Sequence, residues 1–126
     1  LSAMILVVED EDDVREELVE MLELRRFDVC GADSVASGME QVRAASGPLI
    51  LLTDLRLREG SGLDLIRQIT ADPALRSKVV RLILMTGHID LTDQVNLDIQ
   101  KQDLPILFKP IDSELLLSLL AQDAVT

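Results

Sequence analysis

Met4-Ile5-Leu6-Val7-Val8 runs straight into Glu9-Asp10, and Leu49-Ile50-Leu51-Leu52 runs into Thr53-Asp54. Both are unbroken apolar runs, the pattern of a strand buried on both faces. Each delivers a carboxylate at its carboxyl end. After Asp10, Val14, Leu18, Met21 and Leu22 fall on one face of a helix. Phe27 to Ala32 reads as a second strand. Asp33 or Ser34 can cap a helix whose buried stripe is Val35, Met39 and Val42, and Gly47-Pro48 ends it.

Beyond Asp54, a loop from Leu55 to Gly62 leads to a helix with Leu63, Ile66 and Ile69 inward. Asp72-Pro73 and a polar stretch break that pattern. Val79 to Met85 is a fourth strand, ending at Thr86-Gly87. The segment 88–103 is weakly periodic and predicts a short helix around Leu91 to Ile99. Pro105 to Phe108 is a fifth strand. Lys109-Pro110 turns the chain, and Asp112 caps a last helix with Leu115, Leu116, Leu119 and Leu120 inward. These are five βα units, hence an α/β fold: a doubly wound, five-stranded parallel sheet covered on both faces. Its site should lie beyond the carboxyl ends of the strands, at the switch point of the winding.

The 126 residues fit one domain. It is expected over residues 4–124, with 1–3 a cloning remnant or an unstructured start. The whole can equally be a domain cut from a longer chain. With 12 Lys+Arg against 23 Asp+Glu the formal net charge is −11, which argues against nucleic acid or an anionic membrane as a direct partner. The apolar runs are far shorter than the roughly 20 residues that span a bilayer. Cys30 is the sole cysteine, so no intrachain disulfide can form, and a reducing, cytoplasmic setting is expected.

The strand ends carry the chemistry. A parallel sheet brings Glu9 and Asp10, Asp54, Thr86 with Gly87, and Lys109 to one edge. Unit charges about 4 Å apart repel by roughly 1 kcal/mol in water and roughly 4 at an effective dielectric of 20. A hard divalent cation with all-oxygen ligands, Mg²⁺ (or Mn²⁺), removes that repulsion. Without metal, Asp54→Ala or Asp10→Ala is expected to raise the melting temperature. Lys109 and Thr86 can hold an anion next to the metal. A carboxylate nucleophile, a cation and hydrogen-bond donors are the parts that phosphoryl transfer to an acyl phosphate needs.

In order and spacing, Ile5-Leu6-Val7-Val8-Glu9-Asp10-Glu11, Leu51-Leu52-Thr53-Asp54-Leu55 with Gly62, Met85-Thr86-Gly87 and Phe108-Lys109-Pro110 resemble a receiver domain of the two-component response regulators. The resemblance runs from about Met4 to Ala121. It implies a flavodoxin-like (βα)5 fold with strand order 2-1-3-4-5. It makes Asp54 the phosphoacceptor, and Glu9 and Asp10 the acidic pair that holds Mg²⁺, Asp10 directly and Glu9 through water. The backbone carbonyl of Arg56 would be a further ligand, Thr86 the switch hydroxyl and Lys109 its partner at the phosphoryl group. It also implies a cis Lys109–Pro110 bond.

On this reading the domain receives a phosphoryl group from a histidine kinase or phosphotransfer protein and signals to a downstream protein or output domain. A homodimer through the fourth and fifth units is open. It catalyses only its own phosphorylation and dephosphorylation, so it is not a conventional enzyme. Several positions depart from the family pattern. Glu9 replaces the commoner Asp. Ile106 stands at the usually aromatic switch position. Arg58 stands where proline is common, and Ile99-Gln100-Lys101-Gln102-Asp103 replaces the usual small-residue stretch. Arg56 and His88 occupy the variable positions beside the pocket and are candidates for setting phosphoryl lifetime. Two alternatives remain: a receiver-like interaction module that no longer switches on phosphorylation, and an aspartate-nucleophile phosphatase. Against the latter, Arg56 stands where a general-acid Asp is needed.

Overall fold

The computed structural model describes residues 3–87 and 92–124. Along the chain come β1 (Met4–Val8), α1 (Asp12–Leu24), β2 (Val29–Ala32), α2 (Val35–Ala44), β3 (Leu49–Asp54), β4 (Arg56–Leu57), β5 (Gly60–Ser61) and α3 (Gly62–Ala71). Then follow α4 (Pro73–Arg76), β6 (Val79–Thr86), α5 (Asp93–Gln102), β7 (Ile106–Phe108) and α6 (Ser113–Ala124). The main sheet is parallel throughout, in the order β2-β1-β3-β6-β7. β4 and β5 form a separate two-residue antiparallel ribbon. Counting the main sheet alone, the order is the expected 2-1-3-4-5. The winding reverses between β1 and β3, and their carboxyl ends therefore flank the crevice.

Alternate residues of the central strands feed two cores. Leu6, Val8, Leu49 and Leu51 pack with Met39, Val42, Leu65 and Ile66 on one face. Ile5, Val7, Ile50, Leu52, Ile83 and Met85 pack with Leu18, Leu22, Leu116 and Leu120 on the other. Each fully buried Leu or Ile contributes about 1.5–3 kcal/mol, so β1 and β3 are held firmly from both sides. Among the described residues no helix is long and apolar enough to cross a membrane.

Local chemistry explains where elements begin. Ser34, rather than Asp33, caps α2, and its hydroxyl accepts from the Ser37 N–H in a capping box. Ser61 does the same for α3 with Asp64. Asp112 Oδ1 accepts from the N–H groups of Glu114 and Leu115, as expected at the start of α6.

Four expectations need correction. The second strand is shorter, Val29–Ala32, because Phe27 belongs to the turn that closes α1 and donates its N–H to the Leu22 carbonyl. The Asp72-Pro73 break contains a helical turn, α4, with Asp72 accepting from the Ala74 N–H, Pro73 at its start and Leu75 buried. Leu115 is 48% exposed while Leu116 and Leu120 are buried; four clustered leucines exceed the width of one buried stripe. The predicted helix around Leu91 to Ile99 is α5, displaced to Asp93–Gln102, with Thr92 as its cap. Its first expected residue and His88 lie outside the described residues.

Candidate functional site

Backbone pairing delivers each strand-end residue to the same edge. The Glu9 N–H bonds the Ala32 carbonyl (3.0 Å), Leu55 N–H the Met85 carbonyl (2.7 Å) and Lys109 N–H the Thr86 carbonyl (2.9 Å). Glu9, Asp54 and Thr86 are buried. One carboxylate oxygen from each of Glu9, Asp10 and Asp54 lies within 4.8 Å of the others, so the three predicted acids do converge. Gly62 keeps the crevice floor tight: a Cβ there would stand 2.3 Å from the Asp54 carbonyl oxygen. Only glycine allows the start of α3 to pass so close. The Lys109–Pro110 peptide is cis, as the resemblance implied.

Lys109 divides the acids unequally. Its Nζ donates to Glu9 Oε1 at 2.8 Å and to Asp54 Oδ2 at 2.7 Å. Burial pushes the ammonium pKa down, but the bonds to Asp54 and Glu9 outweigh it and hold the pKa above the ordinary lysine value. Glu9 Oε2 accepts from the Glu11 N–H at 3.3 Å, so the longer glutamate side chain is anchored at both oxygens. Asp54 Oδ1 has a longer contact, 3.4 Å from the Arg56 N–H. Burial, followed by the hydrogen bond and charge of Glu9, raises the Asp10 carboxyl above its usual range; a backbone hydrogen bond and then the Arg58 charge pull the other way. Lys109 thus pairs two of the three acids, and Asp10 stands beside them with its carboxyl raised mainly by burial. Asp54→Ala would take one carboxylate out of the cluster and also remove a partner from Lys109.

Three clustered carboxylates with one strained member suit a hard divalent cation, which takes oxygen ligands and tolerates few protein side chains. Asp10, Asp54 and Glu9 are the residues that could hold it.

Two arginines were not among the site residues read from the sequence. Arg15 Nη1 donates to the Glu9 carbonyl at 2.8 Å while Nη2 pairs with Asp12 Oδ1 at 2.6 Å. Gly31 leaves room for it, since a Cβ there would sit 3.2 Å from Arg15 Cδ. Arg58 Nη2 reaches back to the Asp10 carbonyl at 3.3 Å. Arg15 follows Glu9 by six residues, a spacing available in the sequence but carrying no distinctive pattern. Arg58 registered there only as a departure.

The other end of the edge is less connected. Thr86 is fully buried, and its hydroxyl donates to the Gly87 carbonyl at 3.0 Å. Ile106 pairs in register with Leu84, half-buried against the core. Arg56 is exposed at the crevice mouth. Cys30 is half-buried in β2; burial and then Asp28 push its thiol pKa up, which suits a packing residue rather than a nucleophile.

Residues 5–121 match the model of the response regulator receiver domain. The acid tolerance regulatory protein ActR of Rhizobium meliloti (strain 1021) is 34% identical over 118 residues, 94% of this chain and 58% of that protein. The photosynthetic apparatus regulatory protein RegA of Cereibacter sphaeroides is 31% identical over 84 residues, 67% of this chain and 43% of that protein. The chain thus spans little more than half of ActR and less than half of RegA. Among solved structures, a response regulator receiver protein from Pseudomonas putida superposes with a TM-score of 0.84 at 30% identity, covering 97% of this chain and 98% of that one.

Proposed function

Because the chain belongs to the response regulator receiver domain family, we propose that Asp54 accepts a phosphoryl group from a histidine kinase or histidine phosphotransfer protein and that this switches a protein-interaction surface. The observation that carries the reading is the Lys109 ammonium bridging Asp54 and Glu9 beside a strained Asp10. That arrangement stores one cation and leaves demand for another.

Asp54 Oδ1, with the weaker hydrogen bond, has lone pairs to spare and attacks phosphorus. A new O–P bond forms, the N–P bond of the phosphohistidine breaks, and its electron pair returns to the imidazole nitrogen. When bound, Mg²⁺ (or Mn²⁺) supplies charge neutralisation of the phosphoryl oxygens. Asp10 and Asp54 would hold it, joined by the Arg56 carbonyl and by Glu9 through water. Lys109 exchanges a carboxylate for a phosphoryl oxygen. Thr86 gives up the Gly87 carbonyl and donates to another, and α5 and β7 respond through Ile106. Arg56 and His88 set phosphoryl lifetime by limiting water access. The domain turns over no outside substrate.

A second reading has a specific observation behind it. The Thr86 hydroxyl is satisfied by Gly87, and Ile106 is stiff at χ1. A receiver that takes phosphate without switching, acting as an interaction module, would look the same at rest. Acetyl phosphate with Mg²⁺, read by intact mass, tests the primary reading. The wild type should gain one phosphoryl group and Asp54→Asn none; an unmodified wild type would sink it.

A further inference from the structure

Arg58 sits on the turn between β4 and β5, where Gly60 adopts φ +105° and swings the ribbon back. From there its guanidinium crosses the crevice mouth and donates to the Asp10 carbonyl, 48 residues away in sequence. Lys109 is already committed to Glu9 and Asp54. Among the described residues no ammonium bonds the Asp10 carboxylate, and Arg58 is the cation bonded to the Asp10 carbonyl. Arg15 does not serve there, because its two ends are engaged with the Glu9 carbonyl and Asp12.

We propose that Arg58 is a specificity-determining residue of the cation site: a resident positive charge at the mouth that stands in for the metal beside Asp10 and makes the site weak for divalent cations. The inference rests on the reading of Glu9, Asp10 and Asp54 as a metal site. Its physics is direct. A divalent cation held by Asp10 would share that side of the site with a guanidinium bonded to the Asp10 carbonyl at 3.3 Å, and like charges repel. The same charge that eases the empty acid cluster penalises the filled one. Arg58 is exposed, so its replacement should not threaten the fold.

The test is Mn²⁺ binding to the full chain, read from the free-ion electron paramagnetic resonance signal, with Mg²⁺ as competitor. Wild type, Arg58→Lys, Arg58→Gln and Arg58→Glu are compared at low and high salt, with Asp10→Asn as control. Affinity should rise in the order Arg and Lys, then Gln, then Glu. Arg58→Gln should tighten binding about threefold to tenfold at low salt, and the gap should shrink at high salt. If Arg58→Gln binds equally or more weakly, Arg58 is a structural tether for the loop and the inference is overturned. If the gap ignores salt, it is overturned as well. If the wild type, Asp10→Asn and every Arg58 variant all fail to bind Mn²⁺, the metal reading falls and takes the inference with it.

Discussion

The two ends of the strand edge are built differently. At the β1–β3 end, Glu9 and Asp54 are buried, anchored by short hydrogen bonds and bridged by one ammonium. At the β6–β7 end, the Thr86 hydroxyl bonds the carbonyl of the next residue, and Ile106 packs half-buried against the core. The first end is held together by its own charge pairs. The second is satisfied by itself and becomes part of the site only if something draws Thr86 across. Strength of assembly thus follows burial and charge pairing, while a hydroxyl that trades one acceptor for another does so at little net change.

Removing the bridge is the strongest way to break this contrast. Lys109→Met would leave Glu9, which is 0% exposed, as an uncompensated buried charge next to Asp54. Breaking a buried pair costs about 3–5 kcal/mol, and the 30% exposure of Lys109 brings the expectation to about 2–3 kcal/mol. Urea unfolding at neutral pH with a chelator present measures it. Added Mg²⁺ should restore part of the loss. Because pairing raises the lysine pKa above 10.5, the wild-type contribution is full at neutral pH. It fades only as pH climbs through that raised value. A Lys109→Met protein as stable as wild type would mean that the bridge is not holding the site together.

A smaller effect sharpens the same contrast from the acid side. The Asp10 carboxyl is raised above the ordinary aspartate value of 3.8, so the folded chain holds that proton more tightly than the unfolded one. Its penalty is complete at neutral pH and is relieved as pH falls through the raised value towards 3.8. Asp10→Asn should therefore stabilise the metal-free domain at neutral pH by a few tenths to about 1 kcal/mol. That advantage should vanish below the unfolded pKa. With Mg²⁺ present the sign should reverse, since only the wild type gains from binding. A destabilised Asp10→Asn in chelator would contradict the strain assigned to Asp10.

Much of this was legible in the sequence because it depends on local pattern. Unbroken apolar runs at 4–8 and 49–52 leave few ways to bury a strand on both faces, so β1 and β3 follow. The parallel sheet then forces Glu9, Asp10, Asp54, Thr86 and Lys109 to a common edge. What was not legible depends on side-chain reach. Nothing in the spacing says that Lys109 pairs with Glu9 and Asp54 and leaves Asp10 strained. Nor does it say that Arg15 and Arg58 grip successive carbonyls. α5 was placed only roughly, since its polar sequence has little apolar stripe and Leu97 is 51% exposed. α4 was missed because proline reads as a breaker, although it also favours the first turn of a helix.

If Asp54 is the acceptor, the charge-paired end of the edge should recruit the self-satisfied Thr86 end. Backbone amide shifts recorded on adding Mg²⁺ and beryllofluoride, an acyl phosphate mimic, test it most directly. Shifts are expected at Glu9, Asp10, Asp54 and Arg56 together with shifts at Thr86, Ile106 and along α5. The second group should be absent in Thr86→Ala, while the first persists. Shifts confined to the acceptor end in the wild type would contradict the claim and leave a receiver that binds phosphate without switching.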